Sequence, residues 1–282
     1  MRYKKALLIA NPFSRRFEDS MLKKIIKNVR KRGIELDIEI IGEHKKGSND
    51  YDLVLVNGGD ASVNFAANIF ANSRTAILVL PSGTSDVYAL ETSIPRNPLT
   101  ALKLIETGIE RKITLGNLNG RYFVQMAGIG LDAAAVRMVD ERLKEITGKF
   151  AYIISALRSL KSNNKKIKFD IDGRQIEGYS AIIGNGRRYG GWFSAVPEAS
   201  LFSDTLDVVI FRRRFALDYA ISILLSKHSR DAFYFKANRI LVEQAGVDAH
   251  IDGDWICKTP VEITSMPEAL TVLIPEQKGE NV

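Results

Sequence analysis

Apolar residues along the chain change their spacing near residue 115. Before that point, short continuous apolar runs alternate with segments of helical spacing. Ala6-Leu-Leu-Ile-Ala10 reads as a buried strand closed by Asn11-Pro12, because the residue before proline is pushed away from the helical region. Leu22, Ile25, Ile26 and Val29 mark the inner face of a helix that Gly33 ends, and Leu36, Ile38 and Ile40 alternate with acidic residues as in a strand near a sheet edge. Leu53 to Val56 is a buried strand running into Gly58-Gly59, and Val63, Ala66, Ala67 and Phe70 continue as a helix. Ala76-Ile-Leu-Val-Leu-Pro81 repeats the pattern, ending in Ser82-Gly-Thr-Ser-Asp86, and a further helix is expected over Pro98–Thr107. After Leu115 the strands Tyr122–Ala127, Ile167–Ile171, Ser180–Ile183 and Leu206–Phe211 are separated by turns such as Asn119-Gly120 and Asp172-Gly173, the strongest hairpin signals. Helices are expected over Ala133–Leu143 and Phe215–Ser226, with a helix-like stretch at Phe150–Leu160.

The expected fold is therefore α/β plus mainly-β: an open α/β sheet over residues 1–115 and a β-rich domain over 116–282, with a last strand near 270–275 that returns to the first domain. Open α/β sheets take ligands at the carboxyl ends of their strands. Three loops leave those ends, Asn11–Arg16, Asn57–Ser62 and Ser82–Asp86, and all three are expected to converge. A strand, a Gly-rich bend and a helix start aim several backbone N–H groups at one point, a ready anion site. Asp60 inside that bend repels a phosphate and makes better sense holding Mg²⁺ or ordering a hydroxyl; an ordinary βα turn with Asp60 capping its helix is the alternative.

With 282 residues, 45% hydrophobic and 26% charged, the chain has the composition of a soluble globular protein with a substantial core. No apolar run approaches the ~20 residues of a membrane span. The opening Met1-Arg-Tyr-Lys-Lys-Ala6 is unlike a signal peptide, and a cytoplasmic location is the expectation. Cys257 is the sole cysteine, which excludes a disulfide framework. The net charge of +7 gathers in Lys23–Arg32, Arg158–Lys168, Arg187-Arg188 and Arg212–Arg214, clusters able to steer a nucleotide or an anionic membrane surface. No helix-turn-helix, zinc-finger spacing or aromatic platform supports nucleic-acid binding.

Gly128-Ile-Gly-Leu-Asp-Ala133 fits a dinucleotide pattern, yet no strand ending in an acidic residue follows on time, so these glycines are expected to let two domains approach closely. P-loop and protein-kinase motifs are missing. His44, His228 and His250 lack metal spacing, and Ser82 and Ser85 have no nearby histidine for a hydrolase triad. Ile251-Asp-Gly-Asp-Trp255 reads either as a plain hairpin turn or as a turn presenting Asp254 as a general base.

Taken in order, these motifs resemble the diacylglycerol kinase catalytic-domain family, the bacterial lipid kinases related to sphingosine and ceramide kinases. Its pattern runs Asn-Pro, Gly-Gly-Asp-Gly-Thr-x-Asn-Glu, Leu-Pro-x-Gly-Thr-x-Asn-Asp, Gly-x-Gly-x-Asp-Ala, Pro-x-Ala-x-x-x-Asp-Gly-x-Leu and Asp-Gly-Glu. The chain offers Asn11-Pro12, Gly58–Phe65, Leu80–Val87, Gly128–Ala133, Asn185-Gly186, Pro197–Leu206 and Asp252-Gly-Asp254. The resemblance implies an ATP-dependent lipid kinase using Mg²⁺, with a lipid such as diacylglycerol as acceptor, transient contact with an anionic membrane surface and a homodimer among its partners. It implies nucleotide binding by Asn11, Gly58, Gly59, Asp60, Ala61, Ser62, Asn64, Gly83 and Thr84. It further implies a structural Mg²⁺ on Asp204 and the carbonyls of Leu201 and Leu206, and catalysis by Asp254 with Asp60.

The departures from the pattern bear on activity. Ala61 stands for a glycine, at a strain of ~1–2 kcal/mol if the position needs a positive φ. Phe65 and Val87 replace carboxylates, with Asp86 one position earlier as a substitute for the second; Thr205 stands for a glycine, and Asp254 is a methylene shorter than glutamate. Two other readings follow: a degenerate relative that binds nucleotide or lipid without turnover, and an NAD-kinase-like enzyme, since that class shares Gly-Gly-Asp-Gly.

Overall fold

The computed structural model describes residues 2–42, 50–138, 166–189, 191, 193–194, 196–213 and 231–276. The stretches Phe150–Leu160 and Phe215–Ser226, the end of the expected 133–143 helix, His44, His228 and much of the Arg158–Lys168 cluster lie outside the described residues. The chain divides into two compact units, Met1–Ile113 with Glu268–Val282, and Thr114–Pro267.

In the first unit β1 (Lys5–Ala10), α1 (Asp19–Lys31), β2 (Glu35–Ile40), β3 (Leu53–Gly58), α2 (Asp60–Phe70) and β4 (Ala76–Pro81) follow one another, then the short helices α3 (Val87–Glu91), α4 (Pro98–Ala101) and α5 (Leu104–Thr107). The strands pair in parallel in the order β2-β1-β3-β4. β3 and β4 are buried along their whole length, which is why their sequences run apolar without alternation. β2 alternates because it is the edge. One helix over Pro98–Thr107 was expected; two one-turn helices form instead, the first capped by Asn97, whose side chain accepts from Leu99 and Thr100 N–H.

β5 (Ile109–Leu118) leads into the second unit. There β6 (Arg121–Phe123), β7 (Met126–Gly130), α6 (Leu131–Met138), β8 (Ile167–Ile171), β9 (Arg174–Gly178), β10 (Ser180–Gly184), β11 (Arg188–Tyr189) and β12 (Phe193–Ser194) are followed by β13 (Leu206–Phe211), β14 (Ala232–Ala237), β15 (Arg239–Val242), β16 (Asp248–Ile251) and β17 (Asp254–Lys258). β18 (Val261–Ile274) closes the chain, pairing antiparallel with β15 at its start and parallel with β4 near its end.

The second unit is a sandwich. One layer runs β14-β13-β10-β7-β16-β17, all antiparallel, and β18, β15, β8 and β9 supply the other. Ile129, Ile183, Val208 and Ile210 of the first layer pack with Phe123, Phe169, Ile240 and Ile263 in its core. The opposite face carries Met126, Ile182, Val209 and Phe211 against Val196 and Ala199. Both faces of β13 are thus covered, and each such side chain contributes ~1.5–3 kcal/mol relative to exposure. Three hairpins turn on Asn119-Gly120, Asp172-Gly173 and Asp252-Gly253, each with two positive φ values as a type I′ turn requires.

Candidate active site

In the first unit β1, β3 and β4 lie side by side, so their carboxyl ends emerge together, and hydrogen bonds tie the three loops into one cluster. Asn11 N–H donates to Asn57 O at 3.0 Å, Ser82 N–H to Gly58 O at 3.0 Å and Arg16 N–H to Ser82 O at 2.9 Å. The Asn11 Nδ2 donates to Ser62 Oγ at 2.9 Å. Gly59 and Gly83 touch backbone to backbone: a Cβ on Gly59 would lie 2.9 Å from Gly83 Cα, and one on Gly83 2.6 Å from Gly59 Cα. Gly59, at φ −99, is required by this approach and not by its own torsion. A Cβ on Gly58 would meet Ser62 Oγ at 2.1 Å.

Gly59 caps α2 without a side-chain bond. Asp60, the first helical residue, accepts from Tyr88 N–H at 3.0 Å, so its carboxylate caps α3. Ala61 is exposed in the first turn of α2 and is not among the positive-φ residues, so the anticipated strain does not arise. Asn64 is half-buried and accepts from Asn68 Nδ2; Thr84 is exposed, and its carbonyl accepts from Arg96.

Asp86 corrects another expectation. It is 3% exposed, sits at φ +47, accepts Gly83 N–H at 2.8 Å and pairs with Arg16. Arg96 approaches the same carboxylate at 3.9 Å, and Arg16 Nε donates to Gly83 O at 2.7 Å. Asp86 shapes the loop and is not a spare carboxylate standing in for Val87, itself buried. Two half-exposed guanidinium groups beside glycine loops and a helix start suit an anion. Arg16 and Arg96 were not among the sequence candidates; the Arg15-Arg16 pair after Asn-Pro was the available signal.

In the second unit Asp254 is exposed at the start of β17, paired with Ile251 across the turn. The two residues of the turn divide the work. Asp252 gathers three consecutive N–H groups, Val124 on Oδ2 at 2.8 Å and Gln125 and Met126 on Oδ1 at 2.8 and 3.0 Å. The hairpin reading of this segment therefore holds, and Asp254 stands exposed just after the turn.

The glycines of 128–133, expected to let two domains approach, are crowded by residues of their own unit. A Cβ on Gly128 would lie 2.2 Å from both Asp132 Oδ2 and His250 Nε2, which meet each other at 2.5 Å in a fully buried pair; Gly130 takes φ +86.

The expected cation site does not fit its residues. Counted from Pro197, the family aspartate falls on Ser203 and the glycine on Asp204, one position earlier than the assignment of Asp204. Asp204 is exposed, and its carbonyl accepts from Ser265 Oγ at 2.7 Å. The Leu201 carbonyl accepts Thr114 N–H at 2.8 Å, and Leu206 opens β13 opposite Ala237. Among the described residues no three His, Cys, Asp or Glu side chains group as metal ligands.

Residues 5–118 match the diacylglycerol kinase catalytic domain family, and residues 125–274 match the YegS C-terminal NAD kinase beta sandwich-like domain. The diacylglycerol kinase of Bacillus subtilis (strain 168) is 27% identical over 245 residues, covering 83% of this chain and 81% of its own. That of Mycobacterium tuberculosis (strain H37Rv) is 28% identical over 278 residues, covering 89% and 88%. A crystal structure of a diacylglycerol kinase from Bacillus anthracis str. Sterne shares the fold with a TM-score of 0.75 at 24% identity, over 97% of this chain and 98% of that one. An NAD kinase from Archaeoglobus fulgidus, solved in complex with ATP, shares it at 0.54 and 10% identity, over 97% and 94%.

Proposed function

The chain belongs to the diacylglycerol kinase catalytic-domain family, and from that premise we propose that it is an ATP-dependent lipid kinase acting on a hydroxyl such as that of diacylglycerol. The observation that carries the reading is the Gly59–Gly83 contact within a hydrogen-bonded cluster of three strand-end loops, next to the start of α2. Backbone N–H groups there hold the nucleotide's phosphates, and the glycines let those phosphates approach the main chain. Asn11 and Ser62 fix the loops to one another. Asp60, held on Tyr88 N–H, is a hard oxygen donor suited to the nucleotide's Mg²⁺. When bound, that ion spreads the charge of the transferring phosphoryl group.

Asp254 takes the acceptor hydroxyl's proton as general base. Its neighbour Asp252 holds the turn that presents it. No helix of the described residues is long and apolar enough to cross a membrane.

The test is transfer of labelled phosphate from ATP to diacylglycerol in mixed micelles. Asp254→Asn is expected to lower turnover by ~10²–10⁴-fold while ATP affinity stays within about twofold, because the base touches the acceptor and not the phosphates. A wild-type protein that transfers phosphate neither to diacylglycerol nor to sphingoid bases ends this reading; transfer to NAD alone would assign it to the NAD-kinase branch. Buried Val87 and the commitment of Asp86 to Gly83 and Arg16 favour one second reading, a nucleotide binder without turnover. ATP binding with no transfer in both wild type and Asp254→Glu would establish it.

A further inference from the structure

The segment Pro197–Leu206 carries the family pattern of a cation loop without its carboxylate, and its Ser200, Leu201, Ser203 and Asp204 carbonyls already have donors. We propose that a hydrogen-bonded clasp centred on Thr114 and Ser203 holds this segment in place of a divalent cation, so that the second unit is built without metal. This goes beyond the kinase reading and stands or falls independently of it.

The clasp is continuous. Thr114, at 2% exposure on β5, reaches the segment twice: its N–H donates to Leu201 O at 2.8 Å and its Oγ1 to Ser203 O at 2.6 Å. Ser203 Oγ lies 3.2 Å from Thr205 Oγ1 and accepts Thr205 N–H at 3.3 Å, while Ser203 N–H donates to Ser200 O at 2.9 Å. Ser265 Oγ holds Asp204 O at 2.7 Å. From Thr114 the chain continues inward. Buried Asn185 donates through Nδ2 to Thr114 O and to Val124 O, both at 2.7 Å, and Val124 N–H rests on Asp252. The segment is therefore linked by a chain of hydrogen bonds, ending on the Asp252 carboxylate, to the hairpin that presents Asp254.

The chemistry favours hydrogen bonds over an ion. Mg²⁺ takes oxygen ligands that include carboxylate charge, and the side chains seen to hold the segment, Thr114, Ser203 and Ser265, carry none. Ser203 stands where the pattern's carboxylate would be, and Asp204 is exposed. The carbonyls of Leu201 and Ser203, which could turn to an ion, face Thr114. The rival arrangement is specific: Asn185 Oδ1, Gln125 Oε1 and the Oδ2 of Asp207, the residue after Leu206, are buried without a hydrogen-bond partner and could receive a cation, although the equally unpartnered Gln125 Nε2 is a donor that a cation would repel.

Amide hydrogen exchange on the full chain decides between them, with peptides covering 198–206 followed in EDTA and in millimolar Mg²⁺, without nucleotide. The expected result is the same protection in both buffers, within about twofold. Exchange of this segment that rises roughly tenfold or more in EDTA, the loss of about one strong hydrogen bond's worth of protection, overturns the proposal. Thr114→Val should speed exchange of the segment by roughly five- to tenfold in both buffers, and Thr114→Ser, which keeps the hydroxyl, should restore it. No change with Thr114→Val would equally overturn the clasp. Should that variant fail to fold, the wild-type comparison still decides.

Discussion

At the strand ends of the first unit the backbone does the joining. Gly59 and Gly83 meet at their Cα atoms, and the loops exchange main-chain hydrogen bonds, with side chains such as Asn11 and Asp86 added at the margins. At the corresponding turn of the second unit a single carboxylate does it: Asp252 gathers three N–H groups, and Asp254, two residues on, is left exposed. The difference teaches where each unit can do chemistry. A loop joined through glycine backbone has no side chain to keep a ligand off its main chain, and with Arg16 and Arg96 beside it that suits an anion. The carboxylate that closes the turn is itself taken up by the N–H groups of Val124, Gln125 and Met126, and the neighbouring side chain remains for reaction.

Replacing Asp252 should have the largest effect on stability. Asp252→Ala orphans three N–H groups of residues that are themselves buried and puts a Cβ-only residue at φ +46, for a cost of about 3 kcal/mol in chemical denaturation. Asp252→Asn keeps one acceptor oxygen and tolerates the left-handed conformation, so it should lose about 1 kcal/mol. Equal losses for the two would mean that the turn's shape, and not its acceptor oxygens, holds the hairpin.

Gly83→Ala comes next. Its Cβ would lie 2.6 Å from Gly59 Cα and 2.7 Å from Asp86 Oδ1, an overlap with backbone that should cost about 2 kcal/mol. ATP affinity should fall further than stability alone explains, as measured by calorimetric titration. Gly83→Ala binding ATP like wild type would break the contrast between the two regions.

A smaller effect, with a pH signature, concerns Asp207. Burial raises its pKa, with Glu198 adding to the rise and Lys236 on the adjacent strand opposing it. A folded-state pKa above the unfolded value means that the favourable contribution is complete below the unfolded pKa of about 3.9 and is lost as pH rises through the folded value. Asp207→Asn should therefore gain thermal stability relative to wild type between pH 4 and pH 8, with the difference vanishing toward pH 4. A difference that grows on acidification would show that the ionised carboxylate is the stabilising form. The smallest effect is expected of Lys166→Ala, whose partner Glu177 is also half-exposed: below about 0.5 kcal/mol.

Local rules reached much of this architecture from the sequence. Apolar runs ending in Gly58-Gly59 and Pro81 marked parallel strands buried on both faces, because a strand covered twice needs no polar positions. Asn119-Gly120, Asp172-Gly173 and Asp252-Gly253 marked type I′ turns, because few residues accept two successive positive φ values. The Asn-Pro, Gly-Gly-Asp and Ser-Gly-Thr loops were legible as one cluster, because parallel strands send their carboxyl ends the same way. What residues do across long separations was left to the tertiary structure. Asp60 caps a helix 28 positions on, Asp86 answers an arginine 70 positions back, and Asp252 serves N–H groups more than 120 positions earlier. A carboxylate's partners depend on which strands become neighbours, and spacing along the chain carries no trace of that choice. The same reason separates Asp252 from Asp254: chemically identical and two residues apart, they differ only in which one the fold turns toward waiting donors.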